Sequence, residues 1–79
     1  MKSRVDRSSV HSYVELDSYG WPRLIASRTP VKELLDLLAH GYSVEDIMGK
    51  YPQMDRTEWG AAMAYAAETV RRAVLAARP

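Results

Sequence analysis

Apolar residues in the middle of the chain fall at helical spacing. Val31, Leu34, Leu35 and Leu38 recur at i, i+3, i+4 and i+7, with Lys32, Glu33, Asp36 and His40 left for the polar side. Thr29-Pro30 just ahead predicts the start, with Thr29 as N-cap and Pro30 at the first helical position, where no N–H is needed. Gly41 follows as the left-handed residue that stops the helix. Leu37 falls off the stripe and points to a second contact.

A short helix is predicted next, over roughly residues 44–50. Ser43 caps it, Asp46 stands at the third helical position, and Tyr42 with Ile47 matches a hydrophobic staple. Val44, Ile47, Met48 and Tyr51 face inward, and Pro52 forbids continuation. Asp55 with Glu58 repeats the capping pattern, and Met54 with Trp59 repeats the staple. The helix they open meets no breaker from Arg56 to Pro79 except Gly60, about 22 residues or roughly 33 Å. Its apolar stripe runs through Trp59, Ala62, Met63, Ala66, Val70, Ala73 and Val74. The short helix spans only about 10 Å, so the distal half of that stripe needs another surface.

Ahead of the helices the period changes. Tyr13-Val14-Glu15-Leu16 reads as a strand, Asp17-Ser18-Tyr19-Gly20 as a turn, and Trp21 to Ala26 as a second strand. Pro22 makes that second strand an edge strand, or one that starts after it. Residues 1–11 are polar and without period. The expectation is a mostly α chain: a flexible N-terminal arm over 1–11, a hairpin plus helix-turn-helix domain over 12–68, and a C-terminal helical extension over 69–79. Its domain is a short N-terminal β-hairpin followed by a three-helix, homeodomain-like unit with a long last helix.

Size sharpens this picture. A chain of 79 residues buries only about 60% of its unfolded surface, so its own core is marginal. No cysteine is present, which excludes disulfides and thiolate metal sites, and the two histidines do not suggest a metal centre. Association is the remaining support. A homodimer is expected, with the hairpin as its device and Tyr13, Leu16, Trp21, Leu24 and Leu37 as contacts. Because the chain lacks Phe, Trp21 and Trp59 are expected to anchor the core. No apolar run is long enough to span a bilayer and no signal-peptide core follows the basic start, so the default is cytoplasmic.

Candidate chemistry is sparse. Ser8, Ser9, His11 and Ser12 lie in a segment too flexible to hold a reactive geometry. Glu45 and Asp46 are adjacent and diverge on a helix, the four glycines are isolated, and His40 complements a helix C-terminus. No catalytic residue, metal, cofactor or small-molecule substrate is expected. Net charge is +1, near balance for a nucleic-acid binder. Lys2, Arg4, Arg7, Arg28, Arg56 and Thr57 are the DNA-binding candidates, and Arg71 and Arg72 could also meet phosphates. On the last helix, Thr57, Ala61, Ala64 and Glu68, with Gly60 and Tyr65 at the margins, form a smooth face suited to close packing rather than base readout.

The segments Ala26-Ser27-Arg28-Thr29-Pro30-Val31 and Gly41-Tyr42-Ser43-Val44-Glu45-Asp46-Ile47 carry a resemblance, completed by Tyr51-Pro52, Ala62 and Tyr65-Ala66-Ala67-Glu68. In this order and spacing they resemble domain-of-unknown-function family 433, whose members are similar to VapB-type antitoxins. The resemblance covers about residues 13–68. Ala26 stands where the family has Gly and Thr29 where it has Ile, whereas Arg28, Pro30 and Val31 agree. It implies a homeodomain-like helical domain, often dimeric, acting as the antitoxin of a PIN-like nuclease toxin and regulating its own operon. The toxin-binding candidates are then Val70, Arg71, Arg72, Val74, Leu75 and Arg78, the arginines meeting acidic metal-binding carboxylates. The alternative is a dimeric helix-turn-helix DNA-binding transcriptional regulator without a toxin.

Overall fold

A computed structural model describes residues 12–77 of the chain. The expected arm, with Lys2, Arg4, Arg7, Ser8, Ser9 and His11, lies outside the described residues, as does Arg78. Strands β1 (Val14–Leu16) and β2 (Pro22–Leu24) form an antiparallel hairpin, with Val14 opposite Leu24, Glu15 opposite Arg23 and Leu16 opposite Pro22. Glu15 and Arg23 are ion-paired at 2.7 Å. Pro22 opens its strand, a position that requires no donor.

Asp17 builds the turn. Its carbonyl accepts from Gly20 N–H at 2.9 Å, and its carboxylate accepts from the N–H groups of Tyr19 at 2.8 Å and Trp21 at 2.9 Å. The Trp21 bond foremost holds the Asp17 carboxyl below its ordinary pKa. Gly20 supplies the left-handed residue (φ 88°) that such a three-residue loop needs.

The link to the first helix departs from expectation. Leu24 N–H donates to Thr29 O at 2.7 Å, and Arg23 bridges Pro30, so residues 25–28 form a closed loop. The cap residue of α1 (Val31–Ala39) is Pro30, with no side-chain capping bond. Thr29 is not the N-cap because its hydroxyl is taken by Ser27 Oγ at 2.8 Å and is buried there. Helix α1 stops as predicted. Gly41 (φ 94°) follows the cap residue His40, Gly41 N–H donates to Leu38 O at 3.0 Å, and Tyr42 N–H donates to Leu37 O at 3.1 Å, the Schellman pattern. A Cβ at Gly41 would meet open space. Gly41→Ala is therefore expected to cost only its left-handed backbone, about 1–2 kcal/mol in urea unfolding.

Helix α2 spans Val44–Lys50 and starts with the full Ser43/Asp46 capping box. Helix α3 spans Arg56–Ala77. Asp55 Oδ1 accepts from Glu58 N–H at 2.8 Å, and Glu58 Oε1 accepts from Asp55 N–H at 3.3 Å. The core consists of Val14, Leu24, Val31, Leu34, Ile47, Met54 and Ala62, with Leu37, Leu38, Met48, Tyr51, Trp59, Met63 and Tyr65 packed against it.

Several expectations are corrected here. Leu24 is 0% exposed and belongs to the core, so it cannot contact a second subunit. Leu37 packs partly against that same core and also lines the cleft between α1 and α2. Trp21, expected inside, is half exposed, and Leu35 faces outward although it sits on the apolar stripe, because the hairpin leaves a gap beside both. Ala61, read as part of an open face, is buried; Ser12 and Tyr13 line a recess with Gly60, Ala61 and Ala64. Tyr42, the expected partner of Ile47 in a staple, is exposed and has the Lys50 ammonium 5.1 Å from its ring centre.

Candidate functional site

Two regions at opposite ends of α3 gather the remaining chemistry. At its distal end every residue from Thr69 to Ala77 is exposed. Val70 is 62%, Val74 49% and Leu75 51% exposed. The apolar stripe read from the sequence thus runs off the folded body. Arg71 donates to both Glu68 carboxylate oxygens at 3.3 and 3.1 Å, and Arg72 Nε lies 3.3 Å from Glu68 Oε2. Two guanidinium groups share this carboxylate.

Where α3 leaves the body, a groove of about 320 Å³ opens between the hairpin and the helices. Trp21 and Pro22 form one wall, Val31, Lys32 and Leu35 of α1 another, and Tyr65, Ala66, Thr69 and Val70 the third. Sequence reasoning marked Val70 and Trp21 separately and did not bring them together. Leu35 was read only as part of the apolar stripe, since helical period alone cannot say that the neighbouring element leaves it uncovered.

At the other end of α3 a polar network fixes one loop. Glu58 is 4% exposed, and its Oε2 accepts from Ser27 N–H at 3.1 Å. Gln53 Nε2 donates to Ser27 O at 3.4 Å. Arg28, the last residue of this loop, has φ 60°, the left-handed conformation that a residue with a Cβ adopts at a cost. Arg28 is exposed, as are Arg56 and Thr57 in the first turn of α3. Arg56 Nη2 lies 3.5 Å from Glu45. Of the DNA-binding candidates, Arg56 and Thr57 share the first turn of α3, and Arg28 adjoins Ser27, whose N–H Glu58 of that turn holds. Glu58 itself was read only as a cap; its bond to Ser27 spans a sequence distance that no local motif reports.

A third cluster lies between α1 and α2, where Glu33, Asp36, Leu37, His40, Tyr42, Lys50 and Tyr51 line an open cleft. The Tyr51 hydroxyl donates to Glu33. That bond, then burial and the Glu33 charge, push the Tyr51 phenol up to about 12 from 10.0. A raised phenol pKa stabilises the fold fully below pH 10.0 and loses that contribution as pH rises through about 12. An ultraviolet titration should accordingly show one of the five tyrosines ionising late, with the late step absent in Tyr51→Phe. A single step near 10.0 would contradict the Glu33 contact.

Among the described residues, no group of His, Cys, Asp or Glu could hold a metal ion, and no helix is long and apolar enough to cross a membrane.

Residues 18–66, more than half of the chain, match the family described as "Protein of unknown function (DUF433)". The chain belongs to this family. Comparisons with curated proteins and with solved structures give no match. The DUF433 match takes in the Arg28 loop, Glu58 and the Trp21, Leu35 and Ala66 walls of the groove; Val70 to Leu75 lie beyond it.

Proposed function

We propose that this protein is a non-catalytic interaction protein of the antitoxin type, which neutralises a PIN-like nuclease by laying its last helix on it. The observation that carries this reading is the exposure of Val70, Val74 and Leu75 on a helix that outruns its own domain. Each such side chain is worth roughly 1.5–3 kcal/mol when fully buried, so the stripe favours a protein surface. Arg71 and Arg72 add planar cations suited to carboxylates. Their present partner, Glu68, is reached through exposed ion pairs, which are weak and easily exchanged. In the cell such a protein works in the cytoplasm beside its target.

Co-expression with a PIN-like nuclease encoded next to it tests this reading. Growth should be rescued by the full chain and not by a chain truncated after Glu68. Rescue by the truncated chain would overturn the proposal.

A second reading, operator binding as a transcriptional regulator or autoregulator, is favoured by one observation. Arg28 is held exposed by a strained loop that Glu58 ties to the first turn of α3, next to Arg56 and Thr57. Binding to operator DNA should then weaken steeply with salt and fall uniformly across sequences in Arg28→Ala. Salt-insensitive binding would remove this reading.

A further inference from the structure

We propose that the groove between the hairpin and α3 seats one apolar helix of a partner protein, a helix that carries acidic residues along its flanks. This rests on the reading that α3 receives a protein, and not on that protein being a nuclease.

The shape argues for a helix. Trp21 and Leu35 form walls on separate elements, Val70 forms the facing wall, and Val74 stands one turn further along α3. From Ala66 in the groove, α3 continues beyond it to Ala77, a face of about 17 Å, three turns of a partner helix. An amphipathic helix laid on such a face buries anchors at helical spacing.

The charge argues for an acidic one. Lys32 lines the groove, and Arg71 follows Val70 directly. Beside the groove Lys32 pairs with Asp36, and Arg71 and Arg72 share Glu68, while Thr69 to Ala77 holds two arginines and no acid. A second copy of the same stripe would bring two further arginines and no acid to the interface. Like charges so placed are penalised, whereas acidic flanks are steered in. The Lys32–Asp36 and Arg71–Glu68 pairs are exposed and can exchange partners at little cost.

The test uses the ¹⁵N-labelled full chain and two synthetic amphipathic helical peptides with one Leu/Phe face, flanked by Glu in one and by Lys in the other. The acidic peptide should shift the Trp21 indole N–H and the Val70 amide saturably, roughly tenfold more tightly than the basic one. Lys32→Ala with Arg71→Ala should narrow that gap several-fold, and Val70→Glu should abolish the response while core resonances stay in place. Equal affinity for both peptides, no saturable response with either, or a doubled sedimentation mass with the groove already covered would overturn the proposal. Peptide binding without rescue from the nuclease removes the antitoxin reading alone. Rescue without peptide binding removes this inference alone.

Discussion

Replacing Glu58 with alanine is expected to destabilise the domain by about 3 kcal/mol, through two losses of different kind. The first is the cap: Glu58 Oε1 satisfies Asp55 N–H at the start of α3, a contribution of about 1 kcal/mol. The second is larger. Ser27 N–H is buried against Glu58 Oε2, and alanine leaves that donor with no acceptor, a penalty of about 1–3 kcal/mol. Burying a carboxylate is itself costly, yet removing only one partner does not recover that cost, because the donors stay behind. Glu58→Gln keeps one acceptor oxygen and should lose about half as much. Urea unfolding gives both values, and hydrogen exchange at the Ser27 amide locates the loss. If Glu58→Ala unfolded at the same urea concentration as the parent chain, the network would not be what holds the Arg28 loop.

Leu24→Ala should be comparably severe, about 3 kcal/mol within the 2–5 kcal/mol range of buried leucine truncations. Leu24 has no exposed surface, sits opposite Val14 in the ladder and donates its N–H to Thr29. It therefore ties the hairpin to the loop that opens α1. A two-stranded hairpin is marginal alone, so a weakened anchor releases it. In a domain whose total stability is on the order of 5 kcal/mol, that loss removes more than half of the margin. A loss below about 1 kcal/mol would mean that the hairpin does not depend on this contact.

Legibility divides between local and distant partners. The Ser43/Asp46 and Asp55/Glu58 capping pairs, the Gly41 stop and the Asp17–Gly20 turn all act within a few residues, and their spacing is enough to read them. Thr29 misleads because Thr-Pro before an apolar stripe is ordinary cap chemistry, while its hydroxyl is claimed by Ser27 and its carbonyl by Leu24. Trp21 and Leu24 exchange roles for a similar reason. Strand alternation says that two faces exist, not which one the helices cover. Leu16 shares a strand face with Val14, yet it lies exposed nearer the turn. The distal stripe of α3 was readable from lengths alone, since a short helix cannot cover a long one. The groove was not, because it exists only where three elements meet. Nor was the left-handed conformation of Arg28, which follows Ser27, itself held by a carboxylate 31 residues away.

The overhang of α3 has one more consequence, for how long the protein survives. Helical segments this short do not persist in water by their own propensity, so Thr69 to Ala77 keep their turns only by continuity with the docked part. Proteases cut chains that can be drawn out locally, and exposed chain ends are where nicking concentrates. On the proposed reading, an unoccupied copy would offer a cleavage point just beyond Glu68, and a bound partner would hide it. Degradation would then remove the excess and spare the complex, so that the amount of this protein in a cell follows the amount of whatever it binds.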